Sequence, residues 1–191
     1  MLPDVVRATV GAALGDLGGL FDQRGAVFDA TLTFDDDARL PGGTTLLRPG
    51  THDAVVRFAP DGAESVPRTL CVKVPGAYGP GRDQDFLFAT SGDGAPLHHA
   101  VLSSTSAEGL YSSLWLYLAG VQPVAFGTRV ATAEPKRGDT VEFLLGGVLS
   151  RFRRIGTLTL GERAPDGDVE FSAGHAGGGL RALPPALLYR G

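Results

Sequence analysis

Ala26-Val-Phe-Asp-Ala-Thr-Leu-Thr-Phe34 decides the fold class, because its residues divide with a period of two. Ala26, Phe28, Ala30, Leu32 and Phe34 fall on one side, and Val27, Asp29, Thr31 and Thr33 on the other. Successive side chains of an extended chain point to opposite faces, so the segment reads as a strand with one buried face. Similar strands are predicted at residues 52–59, 69–75 and 84–90, and again at 126–132, 140–146 and 154–161. Pro60-Asp-Gly62 and Pro75-Gly-Ala-Tyr-Gly-Pro-Gly81 separate the early ones as turns. Asp35, Asp36 and Asp37, followed by Pro41-Gly-Gly43, read as a solvated turn. Many short, closely spaced strands predict an antiparallel sheet closed into a barrel, since closure removes unpaired edges.

Other periods appear at two places. Val5, Val6, Val10, Ala13, Leu14 and Leu17 have helical spacing, with Asp4 placed to cap the first turn. Residues 96–102 predict a short helical turn, and 107–118 a helix presenting Leu110, Leu114 and Tyr117 or Leu118 on one side. The expected fold is therefore mainly β: an antiparallel barrel with an N-terminal helix and a short helical insertion. A single domain spans 1–191, with the helix at 1–20, the barrel at 21–165, the insertion at about 97–118 and a Gly/Pro-rich irregular tail at 166–191.

Composition narrows the function classes. Hydrophobic residues make up 43% and charged residues 20% of 191, enough apolar side chain for a substantial core and too much for disorder. The net charge of -4 leaves no basic footprint for nucleic acid and disfavours an acidic membrane. No apolar run approaches the roughly 18 residues of a membrane span. No basic leader precedes residue 4, so a cytoplasmic location is expected. With one cysteine, Cys71, the chain has neither an internal disulfide nor a thiolate zinc cluster, and no metal is expected. An exposed strand edge leaves a homodimer open.

The ordered series of strands resembles the barrel of haem catalases over roughly residues 21–160. Arg24-Gly25 followed by a strand looks like the catalase segment whose distal histidine lies three residues before the glycine. Asp22 stands there. Val55-Val-Arg-Phe58 resembles the strand whose arginine holds haem propionates, which makes Arg57 the counterpart, and Asp85-Phe-Leu-Phe-Ala-Thr90 resembles the strand of the distal asparagine. Ala89 and Thr90 occupy that neighbourhood. The stretch Gly177-Gly-Gly-Leu180 is similar to one that precedes the axial tyrosine in short catalase-like proteins. The late Tyr189 has Pro185 where those relatives have arginine. Three departures, on both sides of the haem site, imply a catalase-like barrel used without haem.

On that reading the space left by haem becomes an apolar cavity for a hydrophobic small molecule. The expected activity is a cofactor-independent cyclisation or isomerisation, for instance of a polyketide-like intermediate, in which the site holds a reactive conformer. Asp22, Arg57, His98 and His99 are the candidates for acid, base or charge stabilisation. Phe28, Val56, Phe58, Phe86, Phe88, Thr90, Tyr111, Trp115 and His175 are the candidate substrate-binding residues. The neighbours His98 and His99 point apart on a helix or strand, so they form no two-histidine metal face. Two alternatives stand beside this reading: a small haem peroxidase, and a non-catalytic small-molecule binder. A nucleophilic serine is not indicated, since no Gly-x-Ser-x-Gly elbow occurs.

Overall fold

A computed structural model describes residues 21, 24–59, 67–92, 108–165 and 169–183. Ten strands occur in the order β1 (Ala26–Phe34), β2 (Gly50–Phe58), β3 (Thr69–Val74), β4 (Gln84–Thr90), β5 (Gly109–Ser112), β6 (Tyr117–Ala119), β7 (Gln122–Val130), β8 (Thr140–Gly147), β9 (Arg153–Arg163) and β10 (Leu180–Ala182). Each pairing is antiparallel, and they run β10-β6-β7-β5-β4-β3-β2-β1-β9-β8. A further β7–β8 ladder, with Val124 opposite Gly147 and Arg129 opposite Glu142, joins the ends. Eight strands thus close a barrel, and β6 and β10 extend along its wall.

Register explains the core. Phe28 faces Val56, Val56 faces Val72 and Val72 faces Phe86, so one apolar row crosses four strands on the inner surface. The Phe86 ring lies 4.9 Å from Phe126 and 5.2 Å from Phe143 between centroids, in edge-to-face contacts, and 6.2 Å from Phe88. Tyr117 closes the group at 5.2 Å from Phe126. Such edge contacts suit the aromatic quadrupole and exclude solvent. At this level the interior is filled by rings, where an apolar cavity was expected.

The helix expected over 107–118 is a correction among the described residues 108–118. Strand β5 pairs with β4 and β7, and β6 pairs with β7 and β10. Between the matched pairs Ser112/Gly127 and Tyr117/Val124, Ser113, Leu114, Trp115 and Leu116 lie opposite only Ala125 and Phe126. This two-residue bulge shifts the strand's phase and mimics helical spacing in the sequence. Ser113 stitches it: its amide donates to the Phe126 carbonyl at 2.8 Å, and its Oγ accepts from the Phe126 amide at 3.2 Å. No helix occurs among the described residues. The expected helix at 1–20 and the remainder of the insertion, 97–107, lie outside them, as do Asp22, His98, His99 and Tyr189. The tail, expected to be irregular, contributes β10.

Strands β3 and β4 are buried at every position, unlike the half-buried β1. Their inner faces meet the core; their outer faces lie beneath the segment around Phe171, which is itself fully buried. That second layer creates the site.

Candidate functional site

Lys73 and Asp85 are directly opposed on β3 and β4, on the outer face of the wall. A strand pattern alone would leave both in water. Instead the chain returning at residues 169–175 covers them. The Ser172 amide donates to Asp85 Oδ2 at 2.8 Å, Lys73 Nζ donates to the same oxygen at 3.1 Å, and His175 Nδ1 lies 2.8 Å from it. The Asp85 amide in turn donates to the His175 carbonyl at 2.9 Å. Asp85 is fully buried, whereas the His175 side chain is 42% exposed. Lys73 also reaches Asp83 Oδ2 at 3.3 Å.

Electrostatics distinguish the two carboxylates. Burial raises the pKa of Asp85 above its ordinary value, against the opposing pull of the Ser172 amide, Lys73 and His175. Asp83 is held below its ordinary value, foremost by the Gly76 amide, which donates to Oδ1 at 2.9 Å, with Lys73 adding to the effect. Asp85 Oδ1 is buried with no hydrogen-bond partner. A carboxylate accepting from Nδ1–H fixes the histidine tautomer in which Nε2 carries the lone pair. Asp85 and His175 therefore form an oriented carboxylate–imidazole dyad, the arrangement that suits a positioned general base.

Glycines set the position of His175. A Cβ on Gly177 or Gly178 would fall 2.8 Å or 2.3 Å from the Tyr78 ring, and Gly178 has a φ of 52°. The Gly178 carbonyl accepts from Thr45 N at 2.7 Å, and the Gly179 carbonyl accepts from Gly120 N at 2.8 Å. Tyr78 donates to Gln84 Oε1 at 2.8 Å, and Gln84 Nε2 donates to the Asp85 carbonyl at 2.9 Å. Burial raises the Tyr78 pKa, keeping this donor protonated. The run of small residues is thus the condition for close packing of tail on barrel.

Arg57 has a different place. Its guanidinium donates to the carbonyls of Phe21 and, at 3.4 Å, Val169, and lies 4.6 Å from the centre of the Phe171 ring. Lys73 Nζ lies 5.6 Å from the same ring centre. Phe171 thereby links Arg57 to the dyad. The arginine that the catalase resemblance would place on haem propionates is committed here to backbone carbonyls and an aromatic face. Beneath it, Cys71 is buried and its thiol is pushed up to about 11 by desolvation, so it is no ready nucleophile.

The other residues singled out from the sequence scatter. Val56, Phe86 and Phe88 are wholly buried in the barrel, and Phe28 meets Phe58 edge to face at 5.9 Å. Thr90 and Tyr111 face each other across β4 and β5. Trp115 packs on Phe21 at 6.1 Å from within the bulge. His175 alone of that set joins the dyad. Asp85, Lys73, Asp83 and Ser172 were not anticipated as a group; charged residues inside two otherwise apolar strands were the available signal. Among the described residues, no cluster of three or more His, Cys, Asp or Glu side chains is placed to hold a metal.

No protein-family model matches the chain, and no curated protein matches it.

Proposed function

We propose that the protein is a cofactor-independent acid–base enzyme acting on a hydrophobic small molecule, of the isomerase or cyclase type, with His175 as its base. The 2.8 Å contact between a buried Asp85 and a half-exposed His175 carries this reading. His175 Nε2 takes a proton from a carbon beside a carbonyl, and the C–H electron pair passes into the enolate. The imidazolium, held by its hydrogen bond to Asp85, then returns the proton at another position; alternatively the enolate carbon adds to a carbonyl carbon of the same molecule, the C=O π pair moves to oxygen, and the imidazolium protonates that alkoxide. Lys73 keeps Asp85 in place and offsets its charge. Asp22, His98 and His99 are candidates for a second proton carrier. The proposal places the reaction on the outer wall, since rings fill the barrel interior at the level of Phe86. A catalase-like barrel used without haem remains part of it, and the commitment of Arg57 to backbone carbonyls supports only the absence of a propionate clamp.

The test is hydrogen–deuterium exchange in heavy water, followed by NMR on a panel of aromatic ketones and 1,3-diketones. The wild-type chain should catalyse exchange beside the carbonyl of at least one compound. His175→Gln should lower that rate by about a hundredfold or more, the usual contribution of a positioned base. Exchange no faster than in buffer for every compound, or equal rates in His175→Gln, would overturn the assignment.

A further inference from the structure

The three large apolar side chains exposed among the described residues are Val121 at 94%, Leu149 at 81% and Val148 at 39%. Scattered exposed apolar residues are ordinary, but these share one end of the barrel. Val121 follows Gly120 in the β6–β7 turn, and Val148 and Leu149 form the apex of the β8–β9 turn. Because Val124 is opposite Gly147, both apices project beyond the same ladder, within about 10 Å of each other along the strand direction.

Turn chemistry does not call for these residues. The Ser150 amide donates to the Gly147 carbonyl at 3.3 Å, and the Gly147 amide donates to Ser150 Oγ at 2.7 Å. Gly147 and Ser150 thus close the turn, and the two central positions, usually taken by small or polar residues, hold Val148 and Leu149. In the other turn Gly120 supplies a φ of 61°, as the first central residue of a II′ hairpin requires, and the second central residue is Val121. Both hairpins place a largely exposed apolar side chain, Val121 and Leu149, at the apex.

Arginine surrounds one apex. Arg151, Arg153 and Arg154 follow Leu149 closely and are all exposed. Arg154 is paired with Asp35 at 3.1 Å, and Arg153 donates to the Arg39 carbonyl; among the described residues neither Arg151 nor Arg153 forms an ion pair. Asp36 and Asp37 adjoin Asp35 in the sequence. Apolar tips therefore supply insertion, and the arginines supply headgroup preference. This combination on rigid hairpins fits the interface of a bilayer better than another protein, which would be met by a flatter apolar face.

We infer that this end of the barrel docks on an anionic phospholipid surface, with Val121 and Leu149 entering the interface and Arg151 and Arg153 contacting lipid phosphates; the local arginines there outweigh the repulsion expected from the chain's net charge of -4. The Gly179 carbonyl that holds Gly120 belongs to the same tail as His175, so docking brings the dyad's segment near a source of apolar molecules. The inference stands on the turns and is independent of any chemistry at His175.

Flotation of the full chain with phosphatidylcholine vesicles containing about one third phosphatidylglycerol tests it. The wild type should partition onto these vesicles, weakly onto pure phosphatidylcholine, and less as salt rises. Arg151→Gln with Arg153→Gln should weaken partition about thirtyfold, from the usual loss per arginine at an anionic surface. Val121→Ser with Leu149→Ser should weaken it by at least about tenfold. A Leu149→Trp variant provides a second readout: its added fluorescence should shift to the blue on vesicles. No partition of the wild type onto anionic vesicles, partition unchanged by both pairs of substitutions, or self-association of the free chain that Val121→Ser with Leu149→Ser abolishes would overturn the inference.

Discussion

Replacing Arg57 by methionine separates a structural pin from a catalytic anion clamp. Methionine retains much of the apolar stem and removes the guanidinium. The substitution costs the hydrogen bonds to the Phe21 and Val169 carbonyls and the contact with the Phe171 ring. A charge-assisted bond in a half-buried site contributes about 1.5–2 kcal/mol, the longer bond to Val169 about 0.5–1, and the cation–π contact about 0.5. The total is about 3 kcal/mol. Urea unfolding followed by circular dichroism should show a midpoint lower by about 1.5 M with unchanged slope, and heating should lower Tm by about 8 °C. Arg57→Lys should recover only part of the loss, since an ammonium lacks the planar fork that serves two carbonyls. A loss below about 1 kcal/mol in Arg57→Met would refute the pin and return Arg57 to the list of residues free to bind a ligand.

Three further outcomes follow from the site. Asp85 has a raised pKa in the folded chain, so the wild type should lose stability as pH rises from 3.8 through that raised value. Asp85→Asn should flatten the slope, as read from urea midpoints across a pH series; parallel slopes would contradict it. Gly178→Ala should destabilise by about 2–3 kcal/mol, because the new Cβ meets Tyr78 and the φ of 52° disfavours a side chain. Loss of the His175 imidazole NMR shift characteristic of its Asp85 contact should accompany it. Cys71, buried with a thiol pushed up to about 11, should resist iodoacetamide at pH 8 in the native chain and react within minutes in urea, as mass spectrometry would show.

The barrel was legible because its strands obey local rules. The alternation matches the burial found in β1 from Phe28 to Phe34, whereas Val27, expected on the outer side, is buried and Ala26 is only partly so; the strands expected at 69–75 and 84–90 are β3 and β4 within a residue. The stretch 107–118 misled because a bulge and a helix both break a two-residue period, and only pairing with β4 and β7 decides between them. The site was less legible for a similar reason. Arg57 and His175 were singled out by type, and their contacts depended on where the tail returns.

By itself the sequence determined the antiparallel barrel, its apolar inner face and the turns after β1 and β3, since period, glycine and proline act within a few residues; the turn expected at Pro60-Asp-Gly62 lies outside the described residues. Tertiary structure alone decided that Lys73 and Asp85 are buried, that the backbone of Ser172 and the ring of His175 meet Asp85, and that rings occupy the interior around Phe86. Those facts depend on residues far apart in the chain being brought together, as Phe86 and Phe143 are in the interior and as His175 and Asp85, 90 positions apart, are at 2.8 Å. Local periodicity fixes which face a side chain takes, and only the closed chain fixes what that face meets.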